Sequence, residues 1–382
     1  MRVVICQPLV PAYRVPLFER LGSLPGVQLT IYAGGDEGSL RAAMSATNAY
    51  EFRPAPVRLL PLGLRLQLAT PGVVRQRPDL LIAQWDIRYL NTFPLVVAAR
   101  MRRVPVILWG HGYSRRPLRL TDAARNACGR LADGVLLYTK TVAAKLVAEG
   151  ELRRERVFVA QNALDQTPIQ HARRQWMANP EALRDFQRAH GLDPGRTLIF
   201  VSRLEPSNRV ELLLEAVARL NGQFERLRLV VVGDGSARAN LERRSKQLGI
   251  HANVVFLGAL YDEERLAPWM LSSAAFCYPT NIGLSLLHAF GYGLPVVTSD
   301  NRALQNPEIE ALRTEHNGLE YREGDIDDLV RQCNRLLAEP GLRARLGQSA
   351  LETVLREYSL DHMLDGFKQV IDWARARHER GG

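Results

Sequence analysis

Short apolar runs alternate with amphipathic stretches along the chain. In the first half the runs are RVVICQ (2–7), VQLTIYA (27–33), DLLIAQ (79–84), VPVILWG (104–110), GVLLYT (134–139) and VFVAQN (157–162), with helical periodicity at 14–24, 87–102 and 119–131. In the second half they are TLIFVS (197–202), LRLVVVG (227–233), NVVFLG (253–258), AAFCYP (274–279) and LPVVTS (294–299), with helices at 209–221, 236–248, 262–272 and 284–291. Strands that are apolar on both faces, with helices between them, predict parallel sheets covered on both sides. The pattern is therefore α/β, with two doubly wound, Rossmann-like domains at 1–165 and 196–324. The polar stretch 166–195, broken by Pro and Gly, reads as a linker. After 324 the pattern is helical to the end, which predicts a tail, 325–382, packing back across both domains. Open sheets of this type take ligands beyond the carboxyl ends of their strands, in a cleft when two domains face one another. The candidate loops are then 8–14, 110–115, 162–165, 202–209, 233–236, 258–262 and 279–285. One further segment, LLPLGLRLQL (59–68), reads as a buried amphipathic strand or as a surface that touches lipid.

Composition narrows the class. The chain has 382 residues, 46% apolar and 24% charged, which suits two soluble globular cores. No apolar run approaches the roughly 18 residues of a membrane span. MRVVICQPLV reads as a first strand and not as a signal peptide. Cys6, Cys128, Cys277 and Cys333 are scattered without a C-x-x-C, which predicts neither a metal site nor a redox pair and places the chain in a reducing cytoplasm. Charge is uneven: residues 1–165 carry 23 Lys and Arg against 12 Asp and Glu, whereas 166–382 carry 27 against 28. The excess sits in the first half, with basic clusters at RMRR (100–103) and YSRRPLRL (113–120). Such a face suits nucleic acid, anionic lipid or a phosphorylated substrate, although each cluster alone also fits a solvated surface. The predicted location is cytoplasmic, peripheral on the inner face of a membrane.

Three stretches carry candidate chemistry. FVSRLEPSNRVELLLEAVARL is a strand, loop and helix that places Arg203 and Arg209 where two guanidiniums can take a diphosphate by bidentate hydrogen bonds; two surface arginines fit equally well. VVVGDG places Gly233, Asp234 and Gly235 at a strand end, where glycines let a ligand approach the backbone, as many ordinary α/β turns also do. PTNIGLSLLHAF opens a helix at Gly283, Leu284 and Ser285, whose free N–H groups would cradle a phosphate. His288 shares a helix face with Leu284; a lone helical histidine also fits a structural role.

Taken in order, Asn162-Ala163-Leu164-Asp165, SRLEPSNRVELLLEA, VVVGDG, VVFLGAL and IGLSLLHAFGYGLPVVTSD…NPEIEAL…NGLEY resemble the retaining glycosyltransferases of family 4, which have the GT-B architecture. The resemblance is close over the second half and loose over the first. It implies a nucleoside-diphosphate-sugar donor held by the second domain, and transfer with retention to a saccharide or lipid-linked acceptor. It implies no metal or other cofactor, and nucleic acid is not an expected partner. The family's diphosphate-binding arginine falls on Arg203. Its lysine partner falls on Asn208, a departure that neighbouring Arg209 can cover. The base-holding loop falls on Gly258 to Leu260, and the phosphate-cradling helix start on Gly283, Leu284 and Ser285. The active-site histidine of the first domain falls on His111, with Tyr13 and Arg14 as polar handles on the acceptor side.

The family's two motif glutamates, one near the donor sugar and one on the ribose hydroxyls, fall on Thr280 and His288. An unreplaced charged acceptor would cost about 1.5–3 kcal/mol. A neutral imidazole can still accept from a hydroxyl, and Thr280 or Asn281 can bond a sugar. The His version resembles a bacterial branch of the family. Glu308 and Glu310 either return a carboxylate to the site or cap the next helix. In the mechanism this resemblance implies, the acceptor hydroxyl attacks from the leaving-group side, the departing phosphate helps take the proton, and no protein nucleophile is needed. The missing acids keep a second expectation open, an inactive sugar-nucleotide-binding scaffold. A third is a GT-B sugar-nucleotide 2-epimerase, whose acidic catalytic groups have no placement here.

Overall fold

The computed structural model describes residues 1–35, 48–68, 70–113 and 119–381, with the side chains of 70, 71, 119, 120 and 381 left out. The chain divides into two units, Met1–Asn162 with Leu360–Gly382, and Ala163–Ser359.

The first unit is built on strands β1 (Arg2–Gln7), β2 (Gln28–Ala33), β3 (Tyr50–Pro54), β4 (Val57–Leu59), β5 (Arg65–Gln67), β6 (Leu80–Gln84), β7 (Val106–Gly110), β8 (Gly134–Leu137) and β9 (Val157–Val159). Among the described residues, seven of these form one sheet in the order β3-β2-β1-β6-β7-β8-β9, with every neighbouring pair parallel. β6 and β7 are buried along their whole length, because helices cover both faces, as their unbroken apolar sequences require. β3 is an edge strand of mixed polarity, YEFRP, which carries no apolar run to announce it.

The segment 59–68 is not a buried strand. β4 and β5 form a separate two-stranded antiparallel sheet around a turn at Leu62 and Gly63, and Arg65 of β5 makes one isolated bridge to Tyr89. Leu59 and Leu62 are 74% and 97% exposed. Strands of three residues alternating leucine with arginine cannot join the main sheet without burying charge, so they form a surface hairpin.

Strands β10 (Thr197–Val201), β11 (Arg228–Val232), β12 (Val254–Gly258), β13 (Ala275–Cys277), β14 (Val296–Ser299) and β15 (Gly318–Tyr321) form the second sheet, all parallel, in the order β12-β11-β10-β13-β14-β15. The stretch 166–195 is not a linker. It holds helices Gln166–Ala178 and Pro180–His190, and Ile169 and Ala172 are buried in the second unit's core. The proline that reads as a break is a helix start: Asn179 caps the backbone N–H of Ala182, and Pro180 takes the first helical position, where no N–H is needed.

Of the three C-terminal helices, Ile326–Ala338 and Pro340–Glu357 are part of the second unit, whereas Leu360–Gly381 is part of the first. This last helix is bound tightly. Phe367, fully buried, meets Trp109 of β7 edge-on at 4.9 Å. At Gly366 any Cβ would lie 2.3 Å from the carbonyl oxygen of Val159. Asp361 pairs with Arg20 at 2.7 Å. Phe367→Ala should therefore destabilise the first unit by about 3–5 kcal/mol, the range for emptying a buried aromatic site. Urea denaturation followed by tryptophan fluorescence would measure this, and a loss below about 1 kcal/mol would mean that the helix is not part of that core.

Candidate active site

The second sheet ends in loops that are tied to one another. Gly233 and Gly235 have φ of 144° and 154°, and a Cβ at either would strike the carbonyl oxygens of Ser202 and Leu204, at 1.8 and 2.6 Å. These glycines let the loop after β11 lie against the backbone of the loop after β10. Asn208 is buried and donates from Nδ2 to the carbonyl of Arg203 at 2.8 Å. Asn281, in the left-handed region at φ 65°, donates from Nδ2 to Asn208 Oδ1 at 3.1 Å, and Asn306 donates to the carbonyl of Asn281 at 2.9 Å. A ladder of three amides thus joins the loops after β10, β13 and β14. Asn208, at the position where the resemblance expects a lysine, is a tie between loops.

Arg203 and Arg209 differ sharply. Arg203 is exposed, and its guanidinium makes no ion pair or hydrogen bond among the described residues. Arg209 has a left-handed backbone and pairs with Glu323 at 2.5 Å, with Glu211 at 4.0 Å. It does not supply the free second cation expected of it.

Beside Arg203 lies the loop after β13. Ser285 Oγ donates to the carbonyl of Val201 at 3.2 Å, two residues before Arg203. The backbone N–H groups of Gly283, Leu284 and Ser285 have no partner among the described residues. Thr280 is 3% exposed, and its buried hydroxyl is likewise unpartnered. Gly258 has φ 77°, Leu260 packs against the core, and the neighbouring Tyr261 is 93% exposed. Glu308 and Glu310 sit in the first turn of a short 3-10 helix, Pro307–Ala311, with Glu308 buried. Asn306 N–H to the Ile282 carbonyl, at 2.9 Å, and Ile282 N–H to Gln305 Oε1, at 2.8 Å, hold that segment beside the loop.

His288 has a partner that the sequence does not announce. Its Nε2 lies 3.0 and 3.1 Å from the two carboxylate oxygens of Glu263, at the start of helix Glu263–Leu271. The Tyr292 hydroxyl donates to Glu263 Oε2 at 2.7 Å. Burial pushes the Glu263 carboxyl up, but His288 and the Tyr292 hydroxyl outweigh it and hold the carboxyl below its ordinary value. Burial and the adjacent carboxylate push the Tyr292 phenol far up. In YDEERLAP, Asp262 is the helix cap and Glu263 an ordinary first-turn acid, so spacing alone gives no sign of its partner 25 residues on.

In the first unit the structure brings Tyr13, Arg14 and His111 to one edge of the sheet. Arg14 is 8% exposed, donates to the Tyr138 hydroxyl at 2.9 Å, and lies 4.3 Å from the ring centre of Trp109. Its Nη1 is buried and has no hydrogen-bond partner among the described residues. Burial opposes its charge, but Tyr138 and Tyr13 more than offset this and hold the guanidinium charged. Tyr13 is half-buried with its ring 5.6 Å from Arg14. His111, exposed beyond β7, lies 5.0 Å from the Tyr138 ring. Of the basic cluster 113–120, Arg115 and Arg116 lie outside the described residues. Cys277 and Cys333, distant in sequence, meet with sulfurs 3.9 Å apart in the second core. Among the described residues no group of three His, Cys, Asp or Glu side chains could hold a metal ion.

The family model "Glycosyl transferases group 1" matches residues 143–353. The lipopolysaccharide core biosynthesis glycosyltransferase LpsE of Rhizobium meliloti is 30% identical over 42% of this chain and 44% of its own length. The alpha-D-kanosaminyltransferase of Streptomyces kanamyceticus is 28% identical over 72% of this chain and 65% of its own. Relatives such as LpsE are thus matched over about half of their length. Among solved structures, HepE of Anabaena, in complex with UDP, superposes with a TM-score of 0.75 at 16% identity, covering 97% of this chain and 100% of that one. This likeness shows the GT-B fold. The chain belongs to the group 1 glycosyl transferases.

Proposed function

We propose that the protein transfers a sugar from a nucleoside-diphosphate-sugar donor to a saccharide or lipid-linked acceptor with retention of anomeric configuration, and that the second unit holds the donor. The observation that carries this is that Arg203, unpaired among the described residues, follows the strand end to which Ser285 Oγ is bonded, and that the successive amides of Gly283 to Ser285 have no partner among the described residues. A free cation and converging N–H donors at the carboxyl edge of a parallel sheet suit a diphosphate and stabilise its charge as it leaves. The UDP in the HepE complex agrees with such a donor. Thr280 and Asn281 would meet the transferred sugar, with Gly258 and Leu260 near the base. In the reaction the acceptor hydroxyl oxygen bonds to the anomeric carbon as the bond to the diphosphate breaks, and the proton passes to a phosphate oxygen. No protein nucleophile or metal is required. Arg14, Tyr13 and His111 would face the acceptor.

A second reading, a sugar-nucleotide-binding scaffold without turnover, has one observation in its favour: neither Thr280 nor His288 is acidic. Slow release of free sugar from the donor in the absence of acceptor separates the two, since only the enzyme hydrolyses it.

The same site sets the first test. Arg203→Ala should weaken binding of UDP or GDP by about 10- to 100-fold, the value of a charge-assisted hydrogen bond, and leave uridine or guanosine nearly unchanged. Isothermal titration of both ligand types reads this directly, and an equal loss for nucleoside and diphosphate would remove Arg203 from the diphosphate site.

The first unit provides a second test. Among the described residues no helix is long and apolar enough to cross a membrane. The unit nevertheless exposes Leu59 and Leu62 on its hairpin, and Met101 (81% exposed) next to Arg102 and Arg103. We expect co-sedimentation with anionic vesicles at low salt, release as salt rises, and weaker binding after Arg102 and Arg103 are changed to Ala, with UDP or GDP affinity unchanged. Binding that resists salt would assign the contact to the leucine hairpin. No binding at low salt would leave a soluble acceptor.

A further inference from the structure

His288 is one turn beyond Leu284 on the helix that follows the unpartnered amides, about 6 Å along its axis. A ring esterified to a phosphate held at Gly283 to Ser285 would have its hydroxyls at about that distance. His288 is 14% exposed in its side chain, so it is mostly enclosed yet open on one side. Its Nε2 is occupied by Glu263, and its Nδ1 has no partner among the described residues.

We propose that Glu263 is a positioning residue: it holds the His288 imidazole with its proton on Nε2, so that Nδ1 offers a lone pair to a hydroxyl of the bound donor. This rests on the donor site proposed above.

The geometry supports it in three ways. A carboxylate accepting from one ring nitrogen sets the tautomer and leaves the other nitrogen as an acceptor. The Tyr292 hydroxyl, 2.7 Å from Glu263 Oε2, fixes the carboxylate against rotation. Its ring lies 5.6 Å from that of His288 and packs the imidazole edge-on. Covered by an imidazole and a phenol, the charge of Glu263 is set back from the ligand, and a neutral acceptor faces it instead. The acid absent at position 288 is thus present one helix away, acting through the histidine.

The shared chemistry is a sugar hydroxyl, from either the ribose or the transferred sugar, and two arms separate these sources. In one, UDP and GDP are titrated against their 2′,3′-dideoxy counterparts into the full-length protein and its Glu263→Gln and Glu263→Ala variants. In the other, UDP-glucose and GDP-mannose are compared with UDP and GDP. The wild type should favour the hydroxyl-bearing ligand by about tenfold in one arm, the effect of one good hydrogen bond. Glu263→Gln, whose amide oxygen still accepts from Nε2, should keep most of that preference, and Glu263→Ala should lose it. Long-range 15N–1H spectra of the ligand-free protein should show His288 protonated at Nε2 in the wild type and Glu263→Gln, and mixed tautomers in Glu263→Ala. An unchanged preference in Glu263→Ala, no preference in the wild type in either arm, or a proton on Nδ1 in the wild type would each overturn the role of Glu263 while leaving the donor site standing. Failure of the wild type to bind any of these nucleotides would overturn the donor site itself.

Discussion

An open parallel sheet covered by helices on both faces leaves only its two edges and the ends of its strands free. That constraint shapes both units. The side chains of β6, β7, β10, β11 and β13 are almost wholly given to packing, so polar groups meet only where the strands stop. In the second unit each of those ends leads into a different helix, and side chains tie several of them together. The ladder of Asn208, Asn281 and Asn306 is one such tie. Neutral amides suit this task, since each donates and accepts at once and none adds charge beside a cation that is left free.

The electrostatics of that edge follow from which charges are cancelled. Arg209 is matched by Glu323, Glu263 is covered by His288 and Tyr292, and Arg203 alone of the three keeps its charge toward solvent. The first unit makes a different choice with Arg14. Among the described residues its buried guanidinium has no carboxylate beside it, and aromatic faces with a phenol hydroxyl take the place of a counter-ion. Cation–π contacts of roughly 0.5–2 kcal/mol each offset only part of the cost of burying such a charge, so the surrounding core must hold the rest.

Much of the fold was legible in the sequence because strands buried on both faces are written as unbroken apolar runs. β1, β6, β7 and β10 to β14 fall within a residue or two of where those runs predict, whereas no run announces the short β15. What escaped lacks that signature. β3 is too polar, the 57–67 hairpin alternates leucine with arginine, and Pro180 reads as a break when it begins a helix. At the candidate site, Arg203 and the loop 280–285 could be named because strand–loop–helix order places them at a sheet edge. The Glu263–His288 pair, the Arg209–Glu323 pair and the meeting of Cys277 with Cys333 could not. Each joins residues from separate elements, and one-dimensional periodicity carries no information on which helix faces lie side by side.

The first unit is interrupted in sequence: its last helix, with Phe367 against Trp109 and Gly366 against β9, is encoded after the whole of the second unit. On the ribosome, residues 1–162 therefore emerge without the helix that closes their core. At 5–20 residues per second the missing piece follows on the order of 10–40 s later. During that interval the nascent first unit exposes the apolar seat around Trp109, and the second unit, complete before it, has the opportunity to fold first. The core of the first unit can therefore be completed only after the second unit has been synthesised.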